Sequence, residues 1–314
     1  MPKFRTSHGY SNRNRKRKSF AGRALILIII AMMMIVLIIY LLKTNPFGLY
    51  NNSSNNIYNL DDTNGTEYVL PENRFYLPTS NTGILIHHRY YSLSYNEKYE
   101  VPEWVAYVLT KESLRIPNVK RTNWFEADKS ISSGSAGYYD YKGSGYTRGH
   151  LAPAGDMAFN KEAMKESSLM SNIAPQNRAF NNGIWKELEE NVRNWAWENN
   201  KLYIVTGPVL DKSIVKYIGK NKVGVPRYFY KVVLDIDDPE RKGIAFLIPN
   251  ERSEKPLKEY EVTIDSIEKL THIDFFNDML IDDEEEKLES RFDPQKWKIS
   301  QKLYRKRIEI WNKQ

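Results

Sequence analysis

An uncharged and strongly apolar run of 19 residues, residues 24–42, constrains this chain more than any other feature. A helix of that length is roughly 28 Å long at about 1.5 Å per residue, close to the roughly 30 Å of bilayer hydrocarbon. A buried core helix would need apolar cover on every face. A cleavable signal peptide would have a shorter apolar region followed by small residues, whereas polar residues and Pro46 follow here. We therefore predict one transmembrane helix.

The positive charge of the chain is concentrated before this predicted helix. Residues 1–23 contain eight Lys and Arg and no acidic residue. Removing these eight from the total of 46 leaves 38 basic against 39 acidic side chains, so the net charge of +7 belongs to the N-terminal arm. The charge therefore gives no argument for a nucleic-acid partner. Because positive residues flank the cytoplasmic end of membrane helices, we expect a cytoplasmic N-terminus and an extracytoplasmic domain.

Three further stretches follow the predicted membrane helix. Residues 43–80 are rich in Asn, Ser, Thr and Gly and lack apolar periodicity, which indicates a flexible tether. Residues 81–285 form the predicted folded domain, and residues 286–314 are either a terminal helix packed on it or a partly free tail. The chain has no cysteine, so disulfides and thiolate metal sites are excluded and any metal ion must be held by oxygen or nitrogen.

The predicted domain mixes strands and helices. From residue 84 onward, aromatic and β-branched segments alternate with turn signals, which is typical of strands. Residues 202–205, 228–234 and 244–248 are predicted to be buried strands, and residues 181–197 carry a helical pattern. Because strands and helices do not alternate regularly, we predict the α+β class.

Residues 141–157 contain the only Arg-Gly-His triplet of the chain. Glycines at positions 143, 145 and 149 surround it, and they would let the backbone approach a ligand closely. A lone histidine is more often structural than catalytic. His150 is singled out because it lies beside a cation, Arg148, in a glycine-rich segment.

Residues 171–193 carry a second pattern of polar and apolar positions. On a helix beginning near Asn181, four apolar residues fall within about 80° of one another and define a buried stripe, to which Asn181 also belongs. These four residues are Trp185, Leu188, Val192 and Trp195. A carboxamide facing the interior needs a partner, and a hard cation is one candidate. A helix-capping role for Asn181 is the alternative. Glu189 and Arg193 are four residues apart and can form a surface pair, or can direct the guanidinium into a site.

The two segments together closely resemble the DNA/RNA non-specific endonucleases, the ββα-metal (His-Me finger) nuclease family. The resemblance covers roughly residues 84–280 and implies a nuclease domain with a central antiparallel sheet. It rests on residues at fixed offsets from one another. The matching residues are Arg148, Gly149, His150, Ala152, Pro153, Asn172, Pro175, Gln176, Asn181, Trp185 and Glu189.

The resemblance implies hydrolysis of a phosphodiester with one metal ion. His150, as a neutral imidazole, would be the general base that takes a proton from the attacking water. Asn181 would be the only direct protein ligand of Mg²⁺, with Mn²⁺ as the alternative ion. The expected partners are DNA, with RNA as a second substrate, and the membrane through residues 24–42. Some relatives dimerise, so a homodimer is a further expectation.

Five other residues receive roles from the same resemblance. Glu189 would hold water on the metal ion. Arg148 and Arg193 would bind the phosphate as cationic clamps, and Arg121 is a weaker candidate for the same role. Asn172 is included among the candidate catalytic residues because it matches the family pattern. Because the recognised group is the backbone phosphate, no sequence preference is expected.

One position departs from the family pattern. The residue before Arg148 is usually Asp, whereas here it is Thr147. The threonine hydroxyl can replace a hydrogen bond but cannot supply the charge. Two alternatives to an active nuclease therefore remain: a catalytically weak, membrane-tethered nucleic-acid-binding module, and a membrane-bound hydrolase that acts on other phosphoesters.

Overall fold

The computed structural model of the chain describes residues 32–33, 74–79, 82–237, 239–280 and 282–313. The chain divides into two compact units, Met1–Leu60 and Asp61–Gln314. Of the first unit only residues 32 and 33 are described, and both are helical. The predicted membrane helix therefore lies otherwise outside the described residues, as do the basic arm and most of the tether. Among the described residues, no helix has the length and apolar character needed to span a bilayer.

A seven-stranded antiparallel sheet forms the centre of the second unit. Its strand order is β1-β2-β3-β6-β9-β10-β11, and two separate hairpins, β4-β5 and β7-β8, accompany it. The strands are β1 (Ile84–His87), β2 (Ser92–Asn96), β3 (Val101–Thr110), β4 (Thr147–His150), β5 (Ile173–Gln176), β6 (Lys201–Pro208), β7 (Ile214–Ile218), β8 (Val223–Pro226), β9 (Tyr228–Asp235), β10 (Lys242–Pro249) and β11 (Glu261–Val262). The α+β prediction, with its central antiparallel sheet, is confirmed.

Helices cover both faces of this sheet. They are α1 (Lys111–Arg115), α2 (Tyr138–Tyr141), α3 (Lys161–Ser167), α4 (Arg178–Phe180), α5 (Lys186–Asn199), α6 (Ile264–Thr271), α7 (Asp282–Glu289) and α8 (Gln301–Glu309). A kinked segment, Asn181–Trp185, joins α4 to α5, and the kink lies at Gly183, whose backbone is not helical (φ −106°, ψ −108°). Side chains of a strand alternate between the two faces of a sheet. In β3, the odd-numbered residues of 105–109 enter one hydrophobic core and the even-numbered residues of 104–108 enter the other.

Helix α5 packs on the first face of the sheet through the predicted apolar stripe. Trp185, Leu188, Val192 and Trp195 are each at most 1% exposed, so the stripe is confirmed. The ring of Trp195 stacks on that of Phe246 of β10, with centroids 6.0 Å apart. The segment that connects β4 to α5 in the sequence therefore lies on this same face of the sheet.

Helix α6 and the loop after it cover the second face. The side chain of Tyr76, from the segment expected to be a flexible tether, is buried in the same core and lies 5.8 Å from the ring of Tyr203. The amide of Thr79 donates to the carbonyl of Asp274 at 2.9 Å. Residues 74–79 are therefore packed onto the domain because their aromatic side chains are buried, and any tether must end before them.

The C-terminal residues also pack onto the domain. Arg307 of α8 is fully buried, and its Nε donates to Oε2 of Glu187 at 2.5 Å. The other guanidinium nitrogens donate to the carbonyls of Ser253 and Lys255. A buried charge is tolerated only when it is paired and hydrogen-bonded, and Arg307 satisfies both conditions. Residues 301–309 are therefore a docked helix rather than a free tail.

Candidate active site

The hairpin of β4 and β5 carries His150. In this hairpin Thr147 pairs with Gln176 and His150 pairs with Ile173. A Cβ atom on Gly149 would lie 2.1 Å from Cδ of Gln176, so a larger residue at this position would displace the side chain of Gln176, which packs across the hairpin. The expectation that the glycines let the backbone approach a ligand stays a prediction.

The imidazole of His150 is buried and neutral. The residue is 9% exposed, its ring lies 5.4 Å from that of Phe125, and no hydrogen-bond partner for Nε2 exists among the described residues. Burial, together with the positive charges of Arg121 and Arg148, lowers the pKa of His150 to about 3. A neutral ring with an available nitrogen can accept a proton, as the general-base role requires.

Arg148 and Arg121 place positive charge beside His150. The guanidinium of Arg148 lies between two rings, 4.6 Å from the centroid of Phe125 and 4.5 Å from that of Tyr138. Its Nε is buried without a hydrogen-bond partner in the described part of the chain. Arg121 is exposed to solvent. Within the same described part neither arginine forms an ion pair with a carboxylate, so both remain available to an anion such as phosphate.

Asn181 is held by the residue that departs from the family pattern. Its Nδ2 donates to Oγ1 of Thr147 at 2.9 Å, and the same hydroxyl donates to the carbonyl of Gln176 at 2.9 Å. Because the amide nitrogen is fixed in this way, the Oδ1 oxygen of Asn181 points away from Thr147. Among the described residues Oδ1 accepts no hydrogen bond. The hydroxyl of Thr147 therefore orients the carboxamide without supplying charge.

The helix cap lies upstream of Asn181. Oδ1 of Asn177 accepts from the amides of Ala179 at 2.8 Å and Phe180 at 3.4 Å, which is the N-cap geometry. Asn181 is one turn later, where α4 leads into the kinked segment Asn181–Trp185. The N-capping alternative for Asn181 is therefore wrong, and its Oδ1 oxygen is available for another role.

Glu189 lies in a buried group of charged residues behind this site. Burial raises its pKa, while the nearby positive charges of Arg193 and Lys231 act in the opposite direction. Lys231 is fully buried on β9, with Nζ 5.1 Å from the centroid of the Trp185 ring. In the part of the chain described, this Nζ has no hydrogen-bond partner. Burial therefore lowers the pKa of Lys231.

Of the two alternatives for Arg193, the ion pair with Glu189 does not form among the described residues. Nη1 of Arg193 donates to Oδ1 of Asp156 at 2.5 Å, and its Nη2 lies 3.2 Å from Oε1 of Glu190. The other carboxylate oxygen of Asp156 accepts from the hydroxyl of Tyr107 at 2.7 Å. Arg193 thus connects α5 to the segment that follows His150. Its predicted role as a phosphate clamp stays a prediction.

Asn172 acts within the protein interior. The residue is fully buried, and Oδ1 accepts from the amide of Ala152 at 2.8 Å. Its Nδ2 donates to the carbonyls of Ala152 at 3.0 Å and Ser167 at 2.8 Å. With these hydrogen-bonding groups engaged, Asn172 positions the backbone that follows His150 and has no group left for a substrate.

Three residues of the site region were not singled out from the sequence. Phe125 contacts both His150 and Arg148, Asp156 holds Arg193, and Lys231 lies beside Glu189. Lys231 does leave a signal, because it is the one charged residue within the otherwise apolar stretch 228–234. The other two leave none, since their roles depend on contacts between distant parts of the chain.

These features agree with comparisons to known proteins. The family model described as DNA/RNA non-specific endonuclease matches residues 72–280. The chain belongs to this family. Its match includes the hairpin, the kinked segment Asn181–Trp185 and helix α5, and so all the candidate site residues lie within it. Members of the family generally depend on a divalent metal ion.

Individual relatives are similar to part of the chain. The mouse mitochondrial nuclease EXOG is 34% identical over 226 residues, which is 67% of this chain and 61% of that protein. Human mitochondrial endonuclease G is 34% identical over 203 residues, which is 60% of this chain and 68% of that protein. The chain spans only 55% to 63% of the four vertebrate EXOG nucleases.

A solved structure shows the same fold. The crystal structure of an EndoG/EndoGI complex contains a chain with 31% sequence identity and a TM-score of 0.60. The alignment covers 66% of this chain and 90% of that chain. The sheet and the site elements of the second unit therefore belong to the shared nuclease architecture.

Replacing Thr147 with Val tests how Asn181 is oriented. Valine has nearly the same shape but no hydroxyl, so Nδ2 of Asn181 loses its acceptor. We expect the Mg²⁺ concentration for half-maximal cleavage to rise about tenfold or more, the usual cost of losing a group that orients a metal ligand. Thr147→Ser, which keeps the hydroxyl, should resemble the wild type. Equal Mg²⁺ dependence of the valine variant and the wild type would refute this role.

The burial of His150 predicts a pH dependence of stability. The folded pKa is about 3, whereas the unfolded value is about 6.5, so only the unfolded chain gains a proton between them. The contribution of neutral His150 to the free energy of unfolding is fully present above about pH 6.5. It decreases as the pH falls. Urea unfolding should show wild type losing about 2 kcal/mol more than His150→Asn between about pH 7 and pH 5.

The exposed His272 provides the control for this measurement. It has a φ of 59°, a left-handed conformation that asparagine tolerates, so His272→Asn should fold normally. That variant should keep the pH slope of the wild type. An identical slope for His150→Asn and His272→Asn would show that His150 is not buried in its neutral form.

Proposed function

We propose that this chain is a divalent-metal-dependent endonuclease that hydrolyses phosphodiester bonds of DNA, and of RNA as a second substrate, without sequence preference. The observation that carries the proposal is the neutral, unpartnered imidazole of His150 beside two arginines that lack carboxylate partners. Asn181 is attached to the other end of the same four-residue strand through Thr147. A proton acceptor, cationic groups and an oriented amide oxygen are thus brought to one hairpin.

The donor groups present fit Mg²⁺, with Mn²⁺ as the alternative ion. Oδ1 of Asn181 is a neutral oxygen ligand held away from Thr147. Among the described residues, no group of three acidic or histidine ligands lies at this site. An ion held by one carboxamide must keep several waters and use substrate oxygens, which is how Mg²⁺ is usually bound. When bound, the cation would offset negative charge on the phosphate and on the leaving oxygen.

The residues of the chain supply the remaining steps. His150 takes a proton from water while the water oxygen forms a bond to phosphorus and the bond from phosphorus to the 3′ oxygen breaks. The 3′ oxygen then takes a proton from solvent. Arg148 and Arg121 bind phosphate oxygens and lie where negative charge increases. Glu189 acts from behind the site by accepting hydrogen bonds from water near Asn181.

The surface around the site supports recognition without sequence preference. Contacts to phosphate position a nucleic acid but do not read its bases. Trp124 and Tyr139 are 70% and 79% exposed and adjoin Phe125 and Tyr138, the two rings that hold Arg148. Exposed aromatic faces stack on any unpaired base, whether deoxyribose or ribose is attached. This feature is the basis for including RNA among the substrates.

The binding module without activity is the less favoured alternative. Its basis was Thr147, which lacks the charge of the usual Asp. The hydroxyl of Thr147 accepts from Asn181, so the hydrogen bond needed to orient the amide is retained. The alternative that the chain acts on other phosphoesters is distinguished below by substrate competition. A homodimer stays a prediction.

Digestion of supercoiled plasmid and of RNA by the purified full chain in detergent tests the proposed activity. We expect cleavage with Mg²⁺, none with EDTA, and a loss of about 10³-fold or more in His150→Ala, since a positioned base contributes about 10² to 10⁴ in rate. Plasmid DNA should compete strongly with a small phosphodiester substrate. This result would argue against a hydrolase that acts on other phosphoesters. Absence of cleavage by the folded wild type with Mg²⁺, Mn²⁺ and Ca²⁺ would rule out the enzyme and favour the binding module.

We further propose that residues 24–42 anchor the chain as a single-pass membrane protein whose domain faces away from the cytoplasm. Support comes from the length of this apolar run and from the eight positive residues before it. An outward-facing nuclease would not endanger the chromosome of its own cell. Uptake, scavenging and defence are the roles compatible with that placement.

The absence of cysteine makes this topology directly testable. Ser19→Cys introduces a single thiol in the basic arm, and Ser290→Cys introduces one at an exposed position of the domain. In intact cells a membrane-impermeant maleimide should label the second variant and should label the first only after lysis. Labelling of Ser19→Cys in intact cells, or protection of Ser290→Cys, would contradict the proposed orientation.

A further inference from the structure

Three carboxylates meet on the face of the sheet opposite the candidate active site. Asp265 and Glu268 lie on α6, three residues apart and therefore on neighbouring positions of one helix face. Glu289 is the last residue of α7. One oxygen from each of the three side chains lies within 4.8 Å of the other two. We call this group the acidic triad.

Glu289 is unusual because it is buried without a partner. The residue is only 6% exposed. Its Oε1 is shielded from solvent and, among the described residues, has no hydrogen bond. An unpaired carboxylate in such a place costs several kcal/mol, so a buried carboxylate is normally paired, bound to a metal ion or protonated. Oε1 of Glu289 therefore indicates a missing positive charge.

No basic side chain among the described residues supplies that charge. Among the ion pairs formed by the described residues, none includes a member of the acidic triad. The neighbouring charges are instead negative: Asp274 and Glu285 add to the repulsion felt by Glu289. Oε1 of Glu268 accepts from the amide of Phe275 at 2.8 Å, which holds one member of the triad in place.

We propose that the acidic triad binds a divalent metal ion, Ca²⁺ in preference to Mg²⁺, at a site separate from the catalytic cation. Ca²⁺ accepts about six to eight oxygen ligands in a flexible geometry, and several of them can be carboxylates of the protein. The ligand oxygens of the acidic triad lie within 4.8 Å of one another, close enough to share one ion. Mg²⁺ instead usually keeps several waters and is held by only one or two carboxylates.

A cation at this position would connect three parts of the chain. It would join α6 to α7, and the loop between them already accepts a hydrogen bond from the amide of Thr79 through Asp274. Residues 74–79 are where the chain enters the domain. The proposed ion would therefore stabilise the region where the N-terminal segment joins the domain. A mechanical force applied through that segment would act on this region first. Extracellular modules use calcium sites of modest affinity, with Kd values of about 10⁻⁴ to 10⁻³ M.

Protonation of Glu289 is the competing state. Without an ion, burial and the neighbouring carboxylates raise the pKa of Glu289 to about 9, so a proton would occupy the same place. The two states differ in their response to Ca²⁺. If Glu289 is protonated, it needs no ion, and the free energy of unfolding of the protein would not change with Ca²⁺ at constant ionic strength.

The test uses the full chain in detergent, carrying Asn181→Ala to remove the proposed catalytic ligand and treated with EDTA before dialysis. Calorimetric titration with Ca²⁺ should show one site, and saturating Ca²⁺ should raise Tm by about 5 °C. Mg²⁺ at equal concentration should have a smaller effect. Glu289→Gln in the same background should abolish both the binding and the rise in Tm.

A matched control and a second variant make the outcome decisive. Glu286→Gln removes an exposed carboxylate from the same helix and should leave the Ca²⁺ response unchanged. Asp265→Asn changes an exposed residue, so it should fold normally and weaken Ca²⁺ binding at least tenfold. The proposal is overturned if the parent shows no Ca²⁺ response, or if folded Asp265→Asn and Glu289→Gln respond as the parent does. Nuclease activity is not the readout, so the result is independent of the proposed enzyme.

Discussion

The central strands β3, β6 and β9 are buried on both faces, and this constraint determines where charged groups can lie in the domain. A charged residue within such a strand must enter one of the two cores. Lys231 on β9 enters the core beneath α5, close to Glu189 and Trp185. The candidate active site is therefore supported from below by Lys231, which is fully buried, and by Glu189, which is partly buried. Their charge states depend on one another and on the packing above them.

The same constraint explains why so much of the site is held by hydrogen bonds within the protein. Asn172, Asp156 and Arg193 have buried polar groups that would be costly without partners, and each is satisfied by backbone or side-chain groups near His150. The result is a hairpin and a helix whose relative position is set before any substrate arrives. Preorganised groups of this kind need not reorganise during reaction, which is the main advantage of a rigid site.

Much of this arrangement could be predicted from the sequence, because it depends on periodicity or on fixed offsets. The buried stripe of α5 follows from the 3.6-residue repeat of Trp185, Leu188, Val192 and Trp195. His150 and Asn181 were found by family resemblance. Long-range pairing was not predictable in this way: the four-residue spacing offered Glu189 as a partner for Arg193, whereas Arg193 pairs with Asp156, 37 residues away. The packing of Tyr76 was missed because the polar composition of residues 43–80 as a whole outweighed the short apolar group around it.

A kink at Gly183 separates two parts of one helical segment that would otherwise be geometrically linked. In a regular α-helix each residue turns the chain by about 100°, so the direction of Asn181 would be dictated by the packed face of α5. The non-helical backbone of Gly183, with φ −106° and ψ −108°, breaks that dependence. The direction of Asn181 toward Thr147 and the packing of Trp185 and Leu188 are therefore set by separate contacts, so a change in one need not disturb the other.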